Sequence, residues 1–175
     1  MLTKPDIERY FLAEKQAGLL VLIIGIIAVL IGIVFFFVFK GNLFKGAAVP
    51  LLALGLMECI VGNAIYKKSD ADRMRIVYAY DMNPPLLKTD ELPRMQTVNR
   101  KFKIYQGVEF GLAVLGILLM IYYRGETHRS FWVGFGLTLI IQSVLLFGME
   151  SMSAQRSKQY TRKLSGYLAA WPQRQ

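Results

Sequence analysis

The sequence predicts an all-α membrane protein: four transmembrane helices arranged as two hairpins, with cytoplasmic helical extensions and amphipathic terminal helices. Three observations carry this. Four apolar blocks are each long enough to cross a bilayer, which takes about 20 residues. Polar runs separate them. Lys and Arg are shared out unevenly between those runs: the short links 40–46 and 124–130 hold Lys40, Lys45, Arg124 and Arg129, and the remaining 17 of the 21 basic residues lie in the N-terminal, central and C-terminal segments. Basic residues collect on the cytoplasmic side, so both termini and the central segment are expected there. The net charge of +9 is then a matter of orientation and of contact with anionic lipid, with no nucleic-acid partner implied.

Residues 1–16 open with Thr3-Lys4-Pro5-Asp6, which has the form of a capping box with proline in the first turn. Ile7, Tyr10, Phe11 and Glu14 follow at helical spacing and predict a short amphipathic helix on the membrane surface. Residues 17–66 form the first hairpin. Its first span, Ala17–Phe39, has no charge over 23 residues. That is about 34 Å of helix, too long for the h-region of a cleaved signal peptide. Its second span, Ala47–Tyr66, carries Glu58 and Asn63.

Residues 67–103 form the central segment. Lys67–Tyr80 extends the second helix, with Met74, Val77 and Tyr78 on one face. Pro84-Pro85 ends it, and a new helix starts after Thr89-Asp90 with Pro93 in its first turn. Residues 104–149 form the second hairpin, with Gln106 and Glu109 in the span Ile104–Tyr123 and Gln142 in the span Phe131–Met149. In the tail, 150–175, Tyr160, Leu164, Tyr167, Leu168 and Trp171 make an apolar stripe beside Arg156, Lys158, Arg162 and Lys163. Two readings of the stripe stay open: an interfacial helix on anionic lipid, or a helix packed on the central segment. Aligning Gly41 with Gly125 pairs Glu58 with Gln142 and Cys59 with Ser143, although chance accounts for so few matches equally well.

Small residues mark the expected packing faces: Gly18, Gly25 and Gly32 at intervals of seven, Gly55 and Gly62 around Glu58, and the GxxxG of Gly107 and Gly111. The spans hold two acids and no Lys or Arg. From the helical rise, Glu58 sits ~2 Å and Gln142 ~3 Å to the cytoplasmic side of the midplane, Glu109 ~7 Å and Asn63 ~10 Å. Glu58, Asn63, Gln106, Glu109 and Gln142 are therefore expected to meet in one polar cluster. An acid at the helix centre costs about 2.5–3.5 kcal/mol on insertion scales. The preferred explanation is a neutral carboxyl hydrogen-bonded across helices; a proton or cation site is the functional alternative.

Single Cys59 and His128 exclude a disulfide framework and a Cys/His metal site, and no catalytic motif or cofactor loop is present. The expected function is non-enzymatic: binding another membrane component, as an assembly factor, scaffold or toxin-immunity-type protein. A proton- or cation-coupled transporter, dimeric and working through Glu58 and Glu109, is one alternative. A regulator that binds anionic lipid is another.

Overall fold

The structure is a computed structural model that describes residues 2–125 and 129–170; His128 and Trp171 fall outside them. It is all-helical, and four of its helices are long and apolar enough to cross a membrane. They are α1 (Lys4–Phe37), α2 (Asn42–Met82), α3 (Leu92–Tyr123) and α4 (Ser130–Ala170), with a π-helical turn (Leu87–Glu91) leading into α3.

α1 begins with the capping box read from the sequence. The Thr3 hydroxyl donates to the Asp6 carboxylate at 2.8 Å and the Thr3 N–H to the same oxygen at 3.1 Å. The helix then runs unbroken into the apolar block, so the expected surface helix is not a separate element. Ile7, Tyr10 and Phe11 turn inward against other helices and are buried. The tail behaves alike: α4 continues through it, and Tyr160, Leu164 and Tyr167 are buried within the protein. Of the two readings of that stripe, packing is the one found.

α2 stops before Pro84-Pro85 as expected, and the face marked by Met74 and Tyr78 is turned outward. Met74 and Tyr78 are exposed, whereas Ser69, Asp72, Ile76 and Ala79 are buried. These continue the steps of three and four set by Glu58 and Gly62 higher on the helix, the spacing of a seam between helices. α3 starts after Thr89-Asp90 with Pro93 in its first turn, as expected, and a π turn leads into it. The Leu92 N–H reaches back to the Leu87 carbonyl, one residue farther than in an α-helix. Pro93 has no N–H to continue the tighter ladder, and the widened turn accommodates that loss.

The helices stand in a row: α1 packs along α2, α2 along α4, and α4 along α3, while α1 and α3 scarcely touch. Within the apolar segments the contacts run through small residues. A Cβ built on Gly25 would lie 2.7 Å from the Gly55 carbonyl oxygen and 2.8 Å from the Cys59 nitrogen. One on Gly62 would meet the Leu22 nitrogen at 2.5 Å, and one on Gly116 the Gly136 oxygen at 2.6 Å. Between α2 and α4, a methyl on Gly46 would collide with the Phe131 carbonyl, and one on Gly134 with that of Leu43. The first pair sets Gly32 against Leu52, and the second sets Gly116 against Gly136. Both partners shift by 84 positions, the offset of the Gly41–Gly125 alignment.

Replacing Gly25 by Leu should therefore destabilise the protein by more than about 2 kcal/mol, since backbone rather than a movable side chain stands in the way. Gly111→Leu should be neutral within about 0.5 kcal/mol, as at an ordinary surface site. Thermal unfolding of both variants in one detergent checks the contrast.

Candidate functional site: a buried polar node and the carboxyls of the apolar segments

The large side chains of the core gather at one end of the row, where Leu2 and Tyr167 lie. Leu2, Ile7, Tyr10, Phe11, Ile76, Ala79, Leu87, Met95, Tyr160, Leu164 and Tyr167 form one cluster. Tyr10 stacks on Tyr160 with ring centroids 4.4 Å apart, and Tyr80 lies against Tyr167 at 5.4 Å. Into this core the π turn carries Glu91, which is 0% exposed. A buried carboxylate needs a partner, and the next turn of α3 supplies Arg94. Its Nε and Nη2 bond the two Glu91 oxygens at 2.7 and 2.9 Å, a two-pronged pair. Arg94 Nη1 also lies 3.7 Å from Asp72 of α2, and the guanidinium carbon stands 5.3 Å from the Phe11 ring centroid. One side chain thus touches α1, α2 and the π turn.

Glu14 of α1 faces the same node. Burial pushes its carboxyl above the usual carboxylate range, and the nearby Arg94 charge offsets only part of that. Burial likewise raises the Tyr10 and Tyr160 hydroxyls. The rim carries ion pairs that tie α1 down: Lys4 to Asp81 at 2.6 Å, Lys163 to Asp6 at 2.7 Å, and Lys15 to Asp70. The hydrogen bond from Lys163 holds the Asp6 carboxyl below its usual range.

The expected polar cluster of the apolar segments is divided. Gln106 donates to the Ser151 hydroxyl at 3.3 Å, and Glu109 meets Glu150 of α4. Glu58 and Gln142 are buried toward the middle of the row, and neither Glu58 oxygen nor either polar atom of the Gln142 amide has a hydrogen-bond partner. Asn63 is exposed and joins neither group, because it sits beside Gly62 on α2 and therefore points away from the helix that Gly62 meets.

Of the glycines singled out in the sequence, Gly18, Gly25, Gly32, Gly55 and Gly62 all lie in the α1–α2 contact. Gly107 and Gly111 do not pack: a Cβ on either would have nothing within 4 Å, because α3 turns Glu109 and Gly116 to α4 and this pair away from it. Of the basic tail residues, Arg156 donates to Ser153 and Lys163 pairs with Asp6, while Lys158 and Arg162 are exposed. The sequence reading missed the node of Asp72, Glu91 and Arg94. Asp72 stands among Lys67, Lys68 and Arg73 in the chain, and only the three-residue spacing of Glu91 and Arg94 hints at a pair. It also missed Gly46, Gly134 and Gly136, which lie near helix starts with no periodic partner. No family model, no curated protein and no solved structure matches the chain.

Arg94→Met should cost about 3–5 kcal/mol, because it strands a fully buried Glu91 charge; denaturant unfolding measures it. Glu14 yields a prediction in pH. A carboxyl with a raised folded pKa binds more protons folded than unfolded, so its contribution to stability falls as pH rises from the usual carboxylate range through that raised value. Glu14→Gln should remove this component, leaving the variant the more stable relative to wild type on the alkaline side of the window. Melting temperatures across that range test it.

Proposed function

We propose that this is a non-enzymatic multi-pass membrane protein that acts by binding another membrane component, as an assembly factor, scaffold or immunity-type protein. It sits in a bacterial-type cytoplasmic (inner) membrane with both termini and the polar node on the cytoplasmic side. The uneven placement of Lys and Arg supports that orientation. Exposed Lys158 and Arg162 then stand where anionic headgroups lie.

The observation that carries the binding reading is the outward GxxxG of α3. Gly107 and Gly111 are clear of every other part of the described chain, and Val108, Phe110 and Leu118 beside them are exposed. Such a face lets a second helix come within backbone contact. Its occupant is a helix of another membrane protein or of a second copy. A second reading, a proton- or cation-coupled transporter acting as a dimer through Glu58 and Glu109, draws its support from the unpartnered oxygens of those carboxyls.

Gly107→Leu/Gly111→Leu should leave the melting temperature unchanged while weakening association at least about tenfold, equivalent to ~1.4 kcal/mol. Association is read by native mass spectrometry and co-purification in mild detergent. Retention of the same complex by the double variant refutes the assignment of this face.

A further inference from the structure

Within the apolar segments the two helix pairs meet along the α2–α4 seam, and one polar constellation is set in it. α2 and α4 run parallel. Gly46 lies against Phe131, Gly134 against Leu43 and Ala47, and Tyr80 against Tyr167, offsets of 85 to 91 positions from one end of the seam to the other. Glu58 and Gln142 are 84 positions apart. They therefore stand within about one turn (~5 Å) of the same level. They are also counterparts under the offset that relates the α1–α2 contact to the α3–α4 contact. Ala47 and Phe131 both lie in the seam, and Glu58 and Gln142 each follow them by 11 residues, which returns a helical residue to within about 20° of the same face.

Both residues are sealed in: Glu58 is 5% exposed and Gln142 4%. All four of their terminal polar atoms are buried without a hydrogen-bond partner. Around Glu58, α1 presents Gly25. Gly55 and Gly62 flank it on the buried face of α2 with Cys59 beside it in the chain, and α4 buries Thr138 and Gln142. Cys59 is the one other titratable side chain in this set, and among the described residues no charged group acts on Glu58. Glu109 and Glu150 engage each other in the α3–α4 contact. An ionised carboxylate here has at most the Gln142 N–H as donor, which leaves its charge uncompensated.

A single proton satisfies the whole set. The acid O–H donates to the Gln142 carbonyl, and the Gln142 N–H donates to the acid carbonyl, so two hydrogen bonds form from the four unpartnered atoms. A divalent or monovalent metal ion is served less well, with three oxygens available where hard cations take about six or more. We propose that Glu58 and Gln142 form a proton-binding site in the α2–α4 seam, in which the bound proton links the two helix pairs and its loss admits water between them. Proton binding here requires neither the partner interaction through α3 nor transport.

Infrared spectroscopy of the whole protein in lipid vesicles tests this through the carbonyl stretch of a protonated carboxyl. A Glu58 band is expected at neutral pH, lost in Glu58→Gln and displaced to the higher frequency of a weaker hydrogen bond in Gln142→Leu. It should disappear reversibly at alkaline pH. Uniform carbon-13 labelling of glutamate in the wild-type chain assigns the band to a glutamate even if a variant fails to fold. Absence of the band at every pH overturns the site, as does a band that alkali never removes. A band unmoved in Gln142→Leu overturns the pairing. Loss of the band on adding sodium chloride at fixed pH overturns the proton as occupant in favour of a metal cation.

Discussion

Lipid gives helices no hydrophobic reason to associate, since the surrounding tails are as apolar as leucine. This chain meets that constraint by dividing its packing. In the apolar segments the contacts are glycine against backbone, as at Gly25–Gly55 and Gly116–Gly136. The large buried side chains, Phe11, Ile7, Ile76, Leu87, Met95 and Leu164, all belong to the polar end, beyond the apolar blocks. The core therefore forms where water can drive it. The glycine contacts of the apolar segments determine how closely the helices approach, and the large side chains are buried at the polar end.

Glu91 and Arg94 make that core specific. A purely apolar cluster tolerates several rotations of long helices about one another. A carboxylate that is fully buried accepts only the arrangement that delivers its guanidinium, and Arg94 in turn needs Asp72 and the Phe11 ring in place. The π turn belongs to the same device, because it carries Glu91 inward one turn ahead of Arg94. The row α1–α2–α4–α3 leaves the outer helices with wide uncovered faces, and on α3 these include the glycine pair.

The helix content and the positions of the apolar blocks were legible because uncharged stretches such as Ala17–Phe39 have few alternatives. The Thr3–Asp6 cap and the break at Pro84-Pro85 were legible because their chemistry is local. What the sequence hid was partnership. Tyr160, Leu164 and Tyr167 make the same stripe whether they face lipid or Tyr10. Asp72 among Lys68 and Arg73 resembles a solvated face until Arg94 arrives from another helix. The GxxxG of α3 looks the same inward or outward, and only the placement of Glu109 and Gly116 against α4 tells which. For the polar cluster, position along the helix did not decide direction: Asn63 follows Gly62 on α2 and points away from the face that Gly62 turns to α1.

Leu2 and Tyr167 belong to one core, and the Tyr80 hydroxyl reaches the Leu2 carbonyl. That core therefore cannot close until the chain has been made as far as Tyr167. A chain cut before Ser130 lacks the part of the core that α4 supplies, however closely Gly25 and Gly55 bring α1 and α2 together.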